Sequence, residues 1–96
     1  VQYKLKFTTI AKEALTELKD MDEKKYKKVQ KTLALLQTNL RHPSLKTHKY
    51  DSYEGPNKET VFEAYVENNT PAAYRIFWYY GPSSDEITIY AITPHP

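Results

Sequence analysis

Four residues of this 96-residue chain carry side chains able to hold a phosphate and move protons around it: Arg75, Glu63, His95 and His48. Arg75 stands alone as a charge within the apolar run Ala73 to Tyr80. A guanidinium stays ionised and presents forked donors that suit phosphate oxygens. Its alternative is an ion pair with Glu63 in the preceding run, Val61 to Val66. A symmetric closure of the intervening loop would set the two roughly opposite each other. Both readings hold together if Glu63 orients Arg75 until an anion arrives. His95, between Pro94 and Pro96, either exchanges protons, as an imidazole with an unperturbed pKa of about 6.5 can at neutral pH, or merely ends the sheet. His48 lies among Lys46 and Lys49. It serves either as a base beside two phosphate-holding cations or as part of a solvated basic loop. His42 reads as structural, a cation complementing a helix C-terminus. Three separated histidines without a paired acidic motif do not make a metal site, and no cofactor is expected.

The elements that must position these residues follow from periodicity. Tyr3, Leu5 and Phe7 alternate with Lys4 and Lys6, the pattern of a half-buried strand. Thr8 or Thr9 then offers an N-cap oxygen, and Ile10, Ala14, Leu15 and Leu18 recur at helical spacing. Asp22 can cap a second helix with the stripe Tyr26, Val29, Leu33, Leu36 and Leu40. Only Asp20-Met21-Asp22 separates the two helices, which predicts an antiparallel hairpin. His42-Pro43 is expected to break the second helix. Residues 44–60 lack periodicity and read as a mobile linker. The last third holds three strand-like runs joined by the turn formers Glu67 to Pro71 and Gly81 to Asp85, predicting an antiparallel meander. The order is β-α-α-β-β-β in one domain, residues 1–96.

Composition bounds the function classes. There is no cysteine, so neither disulfides nor thiolate chemistry exist, and a reducing compartment, the cytoplasm, is the expected location. No apolar run approaches the roughly 20 residues needed to span a bilayer. Val1-Gln2-Tyr3-Lys4 has no apolar signal stretch, and a chain that begins without Met need not begin at its native start. The net charge of +2 hides an asymmetry: residues 1–50 hold 12 Lys and Arg against 5 Asp and Glu, and residues 51–96 hold 2 against 7. Such a basic half either attracts a polyanion or is an ordinary lysine-rich helix face. Ten of the 13 aromatic residues lie at or after Tyr50, so the sheet half offers any stacking surface. Tyr65, Tyr79 and Tyr90 are the candidates for stacking on unpaired bases. Phe62, Tyr74, Ile76 and Trp78 are expected to pack under the helices, with Glu63, Tyr65, Arg75, Phe77 and Tyr79 on the other face.

With this order and these residues the chain resembles the RelE/ParE superfamily of bacterial toxins from type II toxin–antitoxin pairs. The resemblance spans nearly the whole chain. It is carried by Glu63-Ala64-Tyr65-Val66, Tyr74-Arg75-Ile76-Phe77-Trp78, and Ile87 to Ile92 with His95 just beyond, and more weakly by Leu45 to Tyr50. It implies an α+β fold in which the helical hairpin packs on a mainly antiparallel four-stranded sheet. Its ribonuclease branch implies cleavage of mRNA in the ribosomal A site by attack of the ribose 2′-OH on the adjacent phosphate, without a metal. Arg75, His95, Glu63 and His48 would then be catalytic, and Lys46, Lys49, Tyr65, Tyr79 and Tyr90 would bind RNA. A cognate antitoxin is the implied partner. The same fold also includes toxins that poison DNA gyrase, and a non-catalytic RNA- or partner-binding member is the third reading. Two positions depart from the ribonuclease pattern: Glu63 and Tyr65 stand where some members carry lysines, and Pro96 where some carry a tyrosine.

Overall fold

Strand β1 (Lys4–Phe7) sends Leu5 and Phe7 toward the core and Lys4 and Lys6 to solvent, as their alternation requires. The computed structural model, which describes residues 2–95, then turns into helix α1 (Thr9–Met21) at Thr8. The Thr8 hydroxyl accepts the Ala11 N–H at 3.1 Å and donates to the Tyr90 carbonyl at 2.8 Å, so one cap also ties the helix to a distant strand. Asp22 ends α1, and its side chain accepts the Lys25 N–H at 3.1 Å to start α2 (Glu23–Thr38). Asp20 and Met21, expected in the connection, belong to α1. The hairpin faces the sheet with Ala11, Leu18, Val29, Leu33 and Leu36, all buried.

Helix α2 stops before the proline that was expected to break it. Asn39 leaves helical geometry and donates its N–H to the Leu35 carbonyl. His42 therefore does not cap α2. It opens a short 3-10 turn, Pro43–Leu45, where its Nδ1 accepts the Ser44 N–H at 3.1 Å.

The supposed linker contains a fifth strand. The sheet runs β1-β5-β4-β3-β2, with β2 His48–Glu54, β3 Thr60–Tyr65, β4 Tyr74–Tyr80 and β5 Glu86–Pro94. All pairs are antiparallel except β1 with β5. Strand β2 had no period-2 signal because its register with β3 shifts between Lys49 and Glu54, and its half-buried tyrosines, Tyr50 and Tyr53, are three apart. Phe62, Tyr74, Ile76 and Trp78 pack with the helices as expected. On the other face Val61, Phe77 and Tyr79 form a second small core under Tyr50, Tyr53 and Tyr90.

Two register features decide which residues meet. Glu63 pairs with Phe77, and Arg75 pairs with Tyr65, so Glu63 and Arg75 are diagonal neighbours rather than opposite ones. On β5 the pairing slips by one residue: Phe77 faces Ala91 while Trp78 faces Ile89. Tyr90 is the extra residue of this β-bulge. Ile87, Ile89 and Ile92 can thus all face the helices, whereas Tyr90 and Ala91 both join the open-face core. Beyond the bulge the alternation is inverted, and His95 falls on the open face. Among the described residues no helix is long and apolar enough to cross a membrane.

Asp22 serves both helix ends, so Asp22→Ala is expected to lower stability by about 1 kcal/mol, read by urea denaturation with an unchanged far-UV spectrum.

Candidate functional site

Glu63 lies at the centre of the open face, 1% exposed, on a strand flanked by β2 and β4. A carboxylate so buried must have its charge answered locally. Three side chains answer it. His48, directly across the β2–β3 pair, brings Nε2 to 2.7 Å from Oε1. His95, carried onto this face by the bulge and held by its N–H on the Ala73 carbonyl, brings Nδ1 to 2.8 Å from Oε2. Arg75 Nε stands 3.6 Å from the same Oε2, an ionic contact too long for a hydrogen bond, which leaves this buried Nε without a hydrogen-bond partner.

The contacts of the ring nitrogens set the two histidines apart. His95 Nδ1 donates to the carboxylate, and its Nε2 has no partner among the described residues. His48 hydrogen-bonds the Lys46 carbonyl through Nδ1 at 2.9 Å, and its Nε2 makes an ionic contact of 2.7 Å with Glu63 Oε1. The two imidazoles thus differ: His95 leaves Nε2 without a partner, whereas His48 is anchored at Nδ1 and turns Nε2 toward the carboxylate. Both side chains are about half exposed (48% and 47%), so solvent and ligands reach them although Glu63 is covered.

Arg75 is held more tightly than the sequence suggested. It is 7% exposed. Nη1 donates to the Glu67 carbonyl at 2.6 Å and the Tyr74 carbonyl at 3.1 Å, and the guanidinium lies 3.7 Å from the Tyr65 ring centroid. Nη2 has no hydrogen-bond partner among the described residues and is the donor left for a ligand. Lys46 Nζ lies 5.6 Å from the Tyr65 centroid, and His48 packs edge-on to the same ring.

Of the predicted residues, the fold brings together Glu63, Arg75, His95, His48, Lys46 and Tyr65. Three fall outside. Lys49 pairs with Phe62 and so points to the helix side of the sheet. Tyr79 is buried against Val61 and Phe77, so its ring has no face free for a base. Tyr90 packs with Tyr53 and Tyr79 in the same small core. Burial, then Tyr50, Tyr90 and the Glu63 charge, push the Tyr53 hydroxyl above its ordinary value. It stays neutral beside the carboxylate. The place of Pro96 lies outside the described residues.

Glu67 escaped sequence reasoning, which saw only a turn former. Its carbonyl holds Arg75, its carboxylate accepts the Tyr74 N–H at 3.1 Å, and Lys25 and Lys28 from α2 reach it at 2.8 and 3.3 Å. The only signal available was an acid facing a lysine-rich helix across the chain. Among the described residues no group of His, Asp and Glu is arranged to hold a metal ion.

No family model matches this chain, and no curated protein matches it in sequence. Solved structures do match. The YoeB/ParE toxin from Agrobacterium tumefaciens aligns with a TM-score of 0.73 at 10% identity over 97% of this chain and 99% of that one. The archaeal RelE of the RelE–RelB complex from Pyrococcus horikoshii gives 0.67 at 16% over 98% and 96%. The E. coli DinJ–YafQ toxin–antitoxin complex gives 0.69 at 14% over 99% and 94%. Two helices on a five-stranded, mostly antiparallel sheet, matched end to end, define the class: this chain has the RelE/ParE toxin fold.

Burial pushes the Glu67 carboxyl up, but hydrogen bonds from Lys25, the Tyr74 N–H and Lys28, with the Lys25 charge, more than reverse this and hold it below its ordinary value. A carboxylate lowered on folding contributes stability in full above its unfolded value and loses it as pH falls through the lowered folded one. Glu67→Gln is therefore expected to be less stable than wild type by about 1–2 kcal/mol at pH 7. Denaturation across pH should show the gap closing on acidification below the ordinary value of 4.5.

Proposed function

We propose that this protein is a toxin of a toxin–antitoxin pair and acts as an mRNA endoribonuclease on the ribosome. The observation that carries the reading is one buried carboxylate, Glu63, holding an imidazole on each oxygen with a guanidinium beside it. Cleavage of RNA by its own 2′-OH needs a base for the hydroxyl proton, an acid for the leaving 5′-oxygen, and fixed charge for the phosphoryl oxygens. His95 Nε2, with its lone pair outward, takes the 2′-OH proton as the oxygen attacks phosphorus. His48, anchored through Nδ1 on the Lys46 carbonyl, acts from Nε2 in its imidazolium form and protonates the 5′-oxygen as the P–O5′ bond breaks. A 2′,3′-cyclic phosphate and a 5′-hydroxyl end result, and the proton count balances. Proton transfer is thus assigned to imidazoles rather than to a metal-bound water.

Arg75 and Lys46 supply the charge, and Tyr65 offers its ring to a base. Glu63 is the positioning residue: it fixes both rings and balances their charge without meeting the substrate. The matched structures support the toxin reading, since RelE and YafQ are seen there in complexes with RelB and DinJ. A cognate antitoxin and a cytoplasmic location belong to the same proposal.

The test is mapping of mRNA 5′ ends in a reconstituted translation reaction. Wild-type protein is expected to cut within translated codons. His95→Ala, a change at a half-exposed side chain, is expected to slow cutting by about 10²–10⁴ with unchanged thermal stability. Arg75→Lys, which retains charge but not the fork, should also lose activity, by about 10²–10³. Intact mRNA beside folded wild-type protein overturns the reading and turns attention to DNA gyrase or another binding target.

A further inference from the structure

On the side of the sheet away from Glu63, where the end of α2 and the 3-10 turn overhang β3 and β4, lies a cleft of about 380 Å³. Its walls are aromatic and basic. Phe62 stacks on Trp78 at 4.8 Å and 25°, and Tyr80 meets both edge-on at 5.8 and 4.9 Å. Trp78 is buried, but Tyr80 is 50% exposed, an aromatic ring left open beside buried ones. Arg41, His42 and Lys46 form the basic wall, and no Asp or Glu lines the cleft. Neither Arg41 nor Lys46 makes an ion pair among the described residues. Unanswered positive charge beside an open aromatic ring fits a ligand with a negative group and a flat π face.

The cleft is wired to the site on the opposite face by one residue. Lys46 lines the cleft and also reaches toward Tyr65, and its carbonyl holds His48 Nδ1. Its backbone is left-handed (φ 46°, ψ 40°), a conformation that side-chain-bearing residues rarely adopt.

We infer that this cleft is a nucleotide subsite, which receives an unpaired RNA residue beyond the cleaved bond, its base against Tyr80 and its phosphate on Arg41. The identity of the ligand as RNA rests on the ribonuclease reading. Through the Lys46 carbonyl, occupancy of the cleft bears on the orientation of His48.

Trp78 is the only tryptophan, so its emission reports the cleft directly. The full chain would be titrated with a 2′-O-methyl trinucleotide, which cannot be cleaved, and in parallel with inorganic phosphate and an acidic peptide. The trinucleotide is expected to change Trp78 emission saturably and to bind more tightly than either control. Tyr80→Ala should weaken it about tenfold, and Arg41→Ala should reduce the slope of log affinity against log salt by about 0.7. No emission change, or equal binding by both variants, overturns the subsite, and preference for the acidic peptide overturns it in favour of a protein partner. The two proposals separate cleanly. Cleavage of mRNA without a Trp78 response removes the subsite and keeps the nuclease, whereas a response without cleavage does the reverse.

Discussion

A carboxylate taken out of water is the constraint around which the open face of this sheet is organised. Glu63 is as buried as the apolar core, and its charge is balanced by His48, His95 and Arg75 from three other strands or strand ends. Arg75, itself buried, is the partner whose loss would cost most, since water can take the place of either half-exposed imidazole. The carboxylate therefore acts on the backbone as well as on the side chains. It draws edge strand β2 and the end of β5 toward β3, and it orients two solvent-touching imidazoles although each is half exposed.

The second contribution comes from the helices. The lysine-rich face of α2, which in the sequence reads equally well as plain solvation, sends Lys25 and Lys28 onto Glu67. Glu67 in turn presents its carbonyl to Arg75. A chain of contacts thus runs from the helical layer through the β3–β4 connection to the guanidinium, and Arg75 has little freedom left. Such a group is preorganised: a ligand meeting its remaining donor does not have to order it first.

How much of this was legible depended on whether a feature is local. The alternation of Tyr3, Leu5 and Phe7, the stripe from Tyr26 to Leu36, and the caps at Thr8 and Asp22 are properties of short windows, and the structure repeats them. The members of the site were legible as residue types, since a lone arginine or imidazole in an apolar context has few uses. Their arrangement was not. Strand β2 hides because its tyrosines bury at a spacing of three across an irregular register, and Tyr79 looked available because nothing local shows that Tyr50 and Tyr53 close over that face. The diagonal relation of Glu63 to Arg75 depends on how the loop between β3 and β4 closes, which composition does not specify. The placement of Lys49 on the helix side follows from the same registers.

The extra residue at Tyr90 makes the position of His95 a matter of counting. Six hydrophobic or small residues, Ile87 to Ile92, satisfy two faces by shifting phase once. The imidazole five places beyond Tyr90 inherits that phase. Substitutions along this strand change packing, but gain or loss of a single residue between Ile89 and His95 would exchange inside for outside for everything that follows. The segment is therefore far more sensitive to length than to composition, and related chains that keep this arrangement are expected to vary here in residue type while holding the interval constant.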